Sequence, residues 1–513
     1  MKSKMIVNIK KLISVLICTA LISSTLPSNL LNYVVFATNH SVWNFDELKN
    51  AVNNANDGDV IILTSNITIP DAAEATEANN YCVFSCSKNI TIKSASGQKY
   101  TINHRNPYGL LSITGGCTVN LENIIIDSGK TDSFQVNKDL IKVLGSSTLN
   151  LTSGTSLQNA NVQNGHTIYC ENSNINIDQT STITNISQKT CDKGIIHLYN
   201  GSNLILDGNI SNYTGHMSGQ AIAASNNCTL NINWAISGCG SSNTSCGGAI
   251  YAYKNCTITI GNTGSISNCS AETGEQYTLD RSTLTINGNI SNCKTTAYSG
   301  GAINIMEGIT LKIYGGSISG CSSTNTSGKG KGNAIYSSGY EYLIQLPTSD
   351  TDMFSINVPV DAQGTNNALE KYGYPGIYDH YISTPAKFLY RVQFDLNGGL
   401  DNSGNTSIDP VLVLSGETLG DILPTNITKD SHNLDKWVDD NNNVITADTP
   451  ITNNTILHAV YASTPNISSP TLIKEQSGSE YNAGDWSNEK IVSSPNASIN
   501  PDRYKISLNE SGL

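Results

Sequence analysis

The side chains that could do chemistry are sparse and poorly grouped. Between residues 58 and 346 the acids Asp127, Asp132, Asp139, Asp178, Asp192, Asp207 and Asp280 are scattered. Glycoside hydrolysis needs paired carboxylates, one to donate a proton and one to attack or activate water. Asp127 and Asp132 share a loop but lie five residues apart. The pair Asp439-Asp440 sits beside an Asn-rich turn and reads as a solvated loop. Arg105, in Asn103-His-Arg-Asn-Pro107, and Arg281 are the arginines of this region. His104, His166, His197 and His216 have no acidic partner at an informative local spacing, so each reads as a stacking or turn residue. Neither a nucleophile motif, nor a phosphate loop, nor a calcium-loop repeat is present. The sequence therefore assigns no catalytic, cofactor-binding or metal-binding residue.

Cysteine is the other reactive type. Twelve of the 13 cysteines lie between Cys82 and Cys321, without a pair of C-x-x-C type. Cys239, Cys269, Cys293 and Cys321 fall at matching places in a recurring phrase, 30, 24 and 28 residues apart. Stacked coils lie about 4.8 Å apart, which suits a ladder of small buried thiols and also lies within the span a disulfide tolerates. Buried thiols are the favoured reading. The N-terminus reads as a secretory leader, residues 1–37. Lys2, Lys4, Lys10 and Lys11 form its basic part, Leu12 to Ile22 its apolar part, and Val35-Phe36-Ala37 a cleavage site. Without its four lysines, the 29 basic residues become 25 against 41 acidic ones, a net charge of −16. That balance disfavours nucleic acid and anionic lipid as partners. No other apolar run is long enough to span a bilayer, so export is expected.

These residues are set in a repeat. Cys256-Thr-Ile-Thr-Ile leads to Ile266-Ser-Asn-Cys269; Ser282-Thr-Leu-Thr-Ile leads to Ile290-Ser-Asn-Cys293; Thr310-Leu-Lys-Ile leads to Ile318-Ser-Gly-Cys321. Alternating apolar and polar residues mark strands with one buried face, and a β-unit recurring at this period predicts a stacked solenoid. Asn residues after the turns are expected to stack as internal amide ladders. Charged residues make up only 14% of the 513 positions and aromatics 7%, as suits short strands and uncharged turns.

Ahead of the repeat, Phe45, Leu48, Val52 and Ala55 share one helical face, and Gly58 ends that helix before Asp59-Val-Ile-Ile-Leu63. This entry resembles that of right-handed parallel β-helix proteins of the pectin-lyase-like superfamily, which implies a capping helix over residues 38–57 and a β-helix over 58–346. Gly247-Gly-Ala-Ile250 and Gly300-Gly-Ala-Ile303 mark one corner of the coil. They are similar to the repeat tetrapeptide of chlamydial polymorphic outer-membrane proteins, a likeness of architecture. Residues 347–387 lose the period and carry Tyr372, Tyr374, Tyr378 and Tyr381, with Tyr390 just beyond; they read as a C-terminal cap or linker. Residues 388–462, from Arg391-Val-Gln-Phe-Asp-Leu-Asn-Gly-Gly399 through Trp437 to Thr449–Tyr461, resemble the Listeria–Bacteroides repeat, the B-repeat of internalin-type surface proteins. That family implies a small β-grasp-like domain of exported cell-envelope proteins. Ser431-His-Asn-Leu-Asp-Lys-Trp437 departs from the family's G-Y-x-F-x-G-W, keeping only Leu434 and Trp437 at the apolar places. Residues 463–513 read as a Pro-bearing linker and a truncated segment that resembles the start of Ig-like repeats of bacterial surface proteins.

The fold expected is all-β. The function expected is that of a secreted bacterial cell-envelope protein: a β-helix stalk presenting interaction modules, with an adhesin-like role towards a glycan or a host or cell-surface protein. A second expectation is a carbohydrate-active β-helix enzyme, polysaccharide lyase or glycosidase, or an inactive glycan-binding relative.

Overall fold

In the computed structural model, residues 37–462 are described outside the segments 130–135, 189–193, 216–220, 242–247, 272–280, 297–299, 306–307, 325–331, 338–342, 349–352, 360–373, 375–376, 380–386 and 431; beyond 462 the strands Thr471–Lys474 and Tyr504–Ser507 are described, as an antiparallel pair. The leader of residues 1–36 and most of 463–513 thus lie outside the described residues. The chain divides into two units, 1–389 and 390–513.

The first unit is a parallel β-solenoid. Among the described residues, nearly every coil contributes one strand to each of three sheets. The first sheet climbs from Asp59–Leu63 through Ile90–Ser94, Thr118–Glu122 and Thr148–Thr152 to Thr310–Ile313 and Leu343–Pro347. The second climbs from Ile67–Ile69 to Phe354–Asn357. The third is a seven-stranded ladder from Cys82–Cys86 to Ile250–Tyr253, and it resumes as Ile303–Ile305, Ile335–Ser337 and Ile377–Asp379. A cavity of about 210 Å³ is lined by Ile258, Ile260, Cys269, Cys293 and Leu311 among others.

Period-2 alternation explains the core. Leu149, Leu151, Ile175, Ile177, Leu204, Leu206, Leu230 and Ile232 stack inward and are essentially inaccessible, while the residues between them face out. The phrase Ile-Ser-Asn-Cys is a corner. Asn159, Asn185, Asn212, Asn268 and Asn292 occupy it with φ of 52–56°, and Gly238 and Gly320 take the same place at 61° and 62°. Only Asn and Gly adopt this left-handed conformation readily, so the bend selects the residue. The cysteine that follows turns inward: Cys239, Cys269, Cys293 and Cys321 are all buried and free. The backbone N–H of Cys293 lies 3.4 Å from the Cys321 sulfur. All ten described cysteines are buried thiols.

The helix Phe45–Asn53 buries Leu48, Ala51 and Val52, and its Phe45 ring meets Phe84 of the third sheet's first strand at 6.1 Å. A strand that the sequence pattern did not reveal, Asn39–Val42, pairs with Asp59–Leu63. Its anchor is Asp59, a fully buried carboxylate. Desolvation pushes its pKa up, but the N–H groups of Asn56 and Thr38 at 2.9 and 2.7 Å, with His40 and the Thr38 hydroxyl, outweigh this and leave the pKa far below the usual range.

Residues after 346 do not leave the solenoid at once. Phe354–Asn357, Ile377–Asp379 and Lys387–Leu389 each pair with the strand of the preceding coil. The spacing has lengthened, from Ile335 to its partner Ile377, which hides the period from the sequence. Within the expected cap, Tyr374 is buried against Phe354, with ring centroids 5.7 Å apart, and its hydroxyl donates to the Pro347 carbonyl at 2.5 Å.

The second unit has its own core: Val392, Phe394, Leu396, Val413, Leu419, Ile427, Trp437, Ile451, Leu457 and Ala459. The strand Thr455–Tyr461 is central there. It pairs in parallel with Val392–Asp395 and antiparallel with the strand His432–Val438. Trp437 packs edge-on against Phe394 and donates its indole N–H to the Pro424 carbonyl at 2.7 Å. No helix among the described residues is long and apolar enough to cross a membrane.

Candidate binding face of the third sheet

The third sheet carries a run of polar and aromatic residues, partly exposed at Lys142, Tyr169, Glu171, Tyr199, Tyr251 and Tyr253 and buried at Ser112, His197, Ala223 and Ser225. In register along it stand Ser112, Lys142, Tyr169, His197, Ala223 and Tyr251. Beside them run Leu144, Glu171, Tyr199, Ser225 and Tyr253. Two further groups, Asp139 and His166, sit just before their strands, Ile141–Leu144 and Ile168–Glu171.

The coil period brings these residues together. His166 Nδ1 lies 2.6 Å from an Asp139 oxygen, and the His166 backbone N–H donates to the same oxygen at 2.9 Å. Lys142 Nζ approaches the other oxygen at 3.4 Å. The His166 ring stacks obliquely on His197 at 4.8 Å, and Tyr169 meets His197 edge-on at 5.4 Å. The Tyr169 hydroxyl donates to Glu171 at 3.0 Å, and Asn200 donates to the second Glu171 oxygen, also at 3.0 Å. The expectation that His166 lacks an acidic partner is thus corrected. Asp139 and His166 are 27 residues apart, one coil, so the pairing is invisible to local spacing. Superposing the strands Ile141–Leu144 and Ile168–Glu171 in register would have revealed it.

The electrostatics decide what this cluster can do. Burial pushes the Asp139 carboxyl up, but the hydrogen bonds and charge of His166, together with Lys142, prevail and hold it below its ordinary value. A glycosidase acid needs the opposite, a carboxyl kept protonated near neutral pH. The Tyr169 phenol is pushed above its usual range by burial and by the Glu171 carboxylate, so it stays a hydrogen-bond donor. The result is a cluster of fixed charge pairs and adjoining aromatic rings.

The other residues flagged by the sequence are dispersed. Asp127 accepts from Gln158, Asn159 and the Gly129 N–H at 2.9, 2.7 and 2.7 Å, with Arg105 at 3.6 Å; desolvation is outweighed and its pKa is lowered. Asp178 closes its own turn through Ser181, Thr180 and the Ser153 N–H. Asp207 accepts from Asn233 at 2.8 Å. His104 points into the core; burial first and the Arg105 charge second lower its pKa to about 3, the Gly109 backbone acting weakly the other way. Arg281 occupies a left-handed turn. Asp132, Asp192, Asp280 and His216 lie outside the described residues, as do Tyr372 and Tyr381.

In the second unit, Asp439 is spent on its own turn, accepting from the Asn441 and Asn443 N–H groups. Asp440 reaches His458, whose two ring nitrogens bond Asp395 and Asp440 at 2.9 Å each. Those two carboxylates raise the pKa of His458. Among the described residues no group of three or more His, Cys, Asp or Glu is placed to hold a metal ion. Comparison with protein-family profiles, with curated proteins and with solved structures finds no match.

Proposed function

We propose that this chain is a secreted bacterial cell-envelope protein whose β-solenoid presents binding surfaces, with an adhesin-like role and without catalysis. The observation that carries this reading is the state of its carboxylates. Asp127, Asp139 and Asp178 each accept several hydrogen bonds in a closed local network, and each has its pKa lowered. Such groups hold structure and charge; they are poor proton donors. The leader-like residues 1–37 and the resemblance of 388–462 to the Listeria–Bacteroides repeat support placement at the cell envelope. The polar and aromatic third-sheet face supports glycans or a cell-surface protein as partners.

The test is protease shaving of intact producing cells, joined to an adherence assay with the purified chain. Surface exposure and saturable adherence are expected; a purely cytosolic chain would end the proposal. A carbohydrate-active enzyme is favoured by one observation, the Asp139–His166 pair beside Tyr169 and Glu171. Release of reducing or unsaturated ends from a polysaccharide, abolished in Asp139→Asn, would establish that reading instead.

A further inference from the structure

The first sheet presents a surface of a different kind. In the strands from Thr148–Thr152 to Thr283–Ile286, the first and third residues face outward, and all are Thr or Asn except Ile205. None of these side chains is buried, and Ile205 is 39% exposed. Pairing is in register from rung to rung. The outward groups therefore form a net of about 4.8 Å between rungs and about 6.7 Å along each strand.

Part of this net is already ordered. The Asn150 amide donates to Asn120 at 2.7 Å, and Asn176 donates to Asn150 at 2.8 Å. In the adjoining column Asn203 donates to Asn174 at 2.9 Å. The amide ladders expected inside the solenoid thus run along its outer face. Each amide retains capacity on its solvent side, and every hydroxyl and amide here both donates and accepts. Side chains fixed before contact lose less entropy on binding.

We infer that this face docks onto an uncharged, hydroxyl-rich polymer surface, namely an insoluble neutral polysaccharide. The inference deepens the binding role proposed above and rests on it. The chain is acidic overall, yet this patch carries no charge, which disfavours a charged partner. It lacks the aromatic and arginine anchors on which protein interfaces concentrate their energy. Hydroxyls of a polysaccharide also donate and accept at regular intervals, and a flat array engages many of them weakly at once. Ile205 gives the net one apolar contact for a sugar ring face. A flat surface cannot enclose a single sugar, so soluble monosaccharides should compete poorly.

The experiment is depletion of the purified full-length chain by cellulose and by chitin particles. Depletion is expected with at least one of them, and it should change little between low and high salt because the face is neutral. The double variant Asn150→Asp/Thr259→Glu should weaken depletion by about tenfold or more, since buried charges must then be desolvated against a neutral partner. Ser237→Glu/Ser291→Glu adds the same charge on the second sheet and should leave depletion unchanged. Should the first double variant fail to fold, Thr259→Val/Thr285→Val removes hydroxyls at constant shape and must still weaken binding. Absence of depletion, equal loss in both charge variants, or loss in high salt alone would overturn the inference. Adherence to cells without depletion would overturn it while leaving the adhesive role intact. Thermal hysteresis with ice and no depletion would assign the face to another ordered surface and likewise overturn it.

Discussion

At the scale of single residues, the corner and the buried imidazole make the clearest claims. Asn212 holds φ at 56°, where a β-branched residue is strained by about 1–2 kcal/mol. Asn212→Val should lower stability by about that much, and Asn212→Gly should stay within about 0.5 kcal/mol; urea unfolding followed by circular dichroism measures both. At Gly320 a Cβ would come within 2.3 Å of Asn292 Oδ1, so Gly320→Ala adds a clash to the same strain. His104 makes a pH-dependent contribution. Its folded pKa of about 3 lies below the ordinary 6.5, so the unfolded chain binds the extra proton. Its stabilising effect is complete above pH 6.5 and is lost as pH falls towards 3. Between pH 7 and 4.5 the loss should be on the order of 2 kcal/mol, and His104→Gln should flatten that part of the pH profile. A profile identical in the variant would refute the assignment. The ten described thiols should resist a thiol reagent in the native state and react after denaturation, because all ten are buried. Burial raises Cys82 and Cys170 to about 12. Hydrogen bonds from Cys86 and Cys256 lower Cys117 and Cys228 to about 7, but these two are equally shielded from the reagent.

At the scale of elements, the helix Phe45–Asn53 covers the first coil. Asn44 caps it by accepting from the Glu47 N–H at 2.9 Å, and Leu48 is wholly buried. Leu48→Asp should loosen this cover and expose strand edges that pair with other molecules; light scattering should then detect larger species that the native chain does not form. If the variant remains monodisperse, the helix is not what protects that end. This helix was legible because an amphipathic face leaves a 3.6-residue signature. The coil was legible because stacked rungs repeat their apolar pattern. The strand Asn39–Val42 was not, since Asn-His-Ser-Val pairs through its backbone and its side chains carry little pattern. The late strands Phe354–Asn357 and Ile377–Asp379 escaped because longer connections break the period. The Asp139–His166 contact escaped for a third reason: partners one coil apart are close only once the register is known. The amide ladders were foreseen in kind but placed on the wrong face, because alternation states which residues share a side while the core decides which side is wet.

At the scale of the molecule, the two units carry separate apolar cores, one built from stacked rungs and one around Trp437. Interactions confined to one core should leave the other's stability untouched. Trp437 is the sharpest probe, because it is buried, packed on Phe394 and hydrogen-bonded through its indole. Truncating such a side chain costs about 3–5 kcal/mol, comparable to the whole stability of a module of this size at roughly 0.05–0.15 kcal/mol per residue. Trp437→Ala should therefore unfold, or nearly unfold, the second unit at room temperature, with proteolysis appearing between residues 390 and 462. The solenoid should keep its own unfolding transition, read in the β-sheet signal of the full-length variant. The two cores depend on different residues, so a fall of the solenoid transition by a similar amount would mean that they fold as one cooperative body. That result would remove the basis for treating the solenoid's surfaces as independent of the module that follows them.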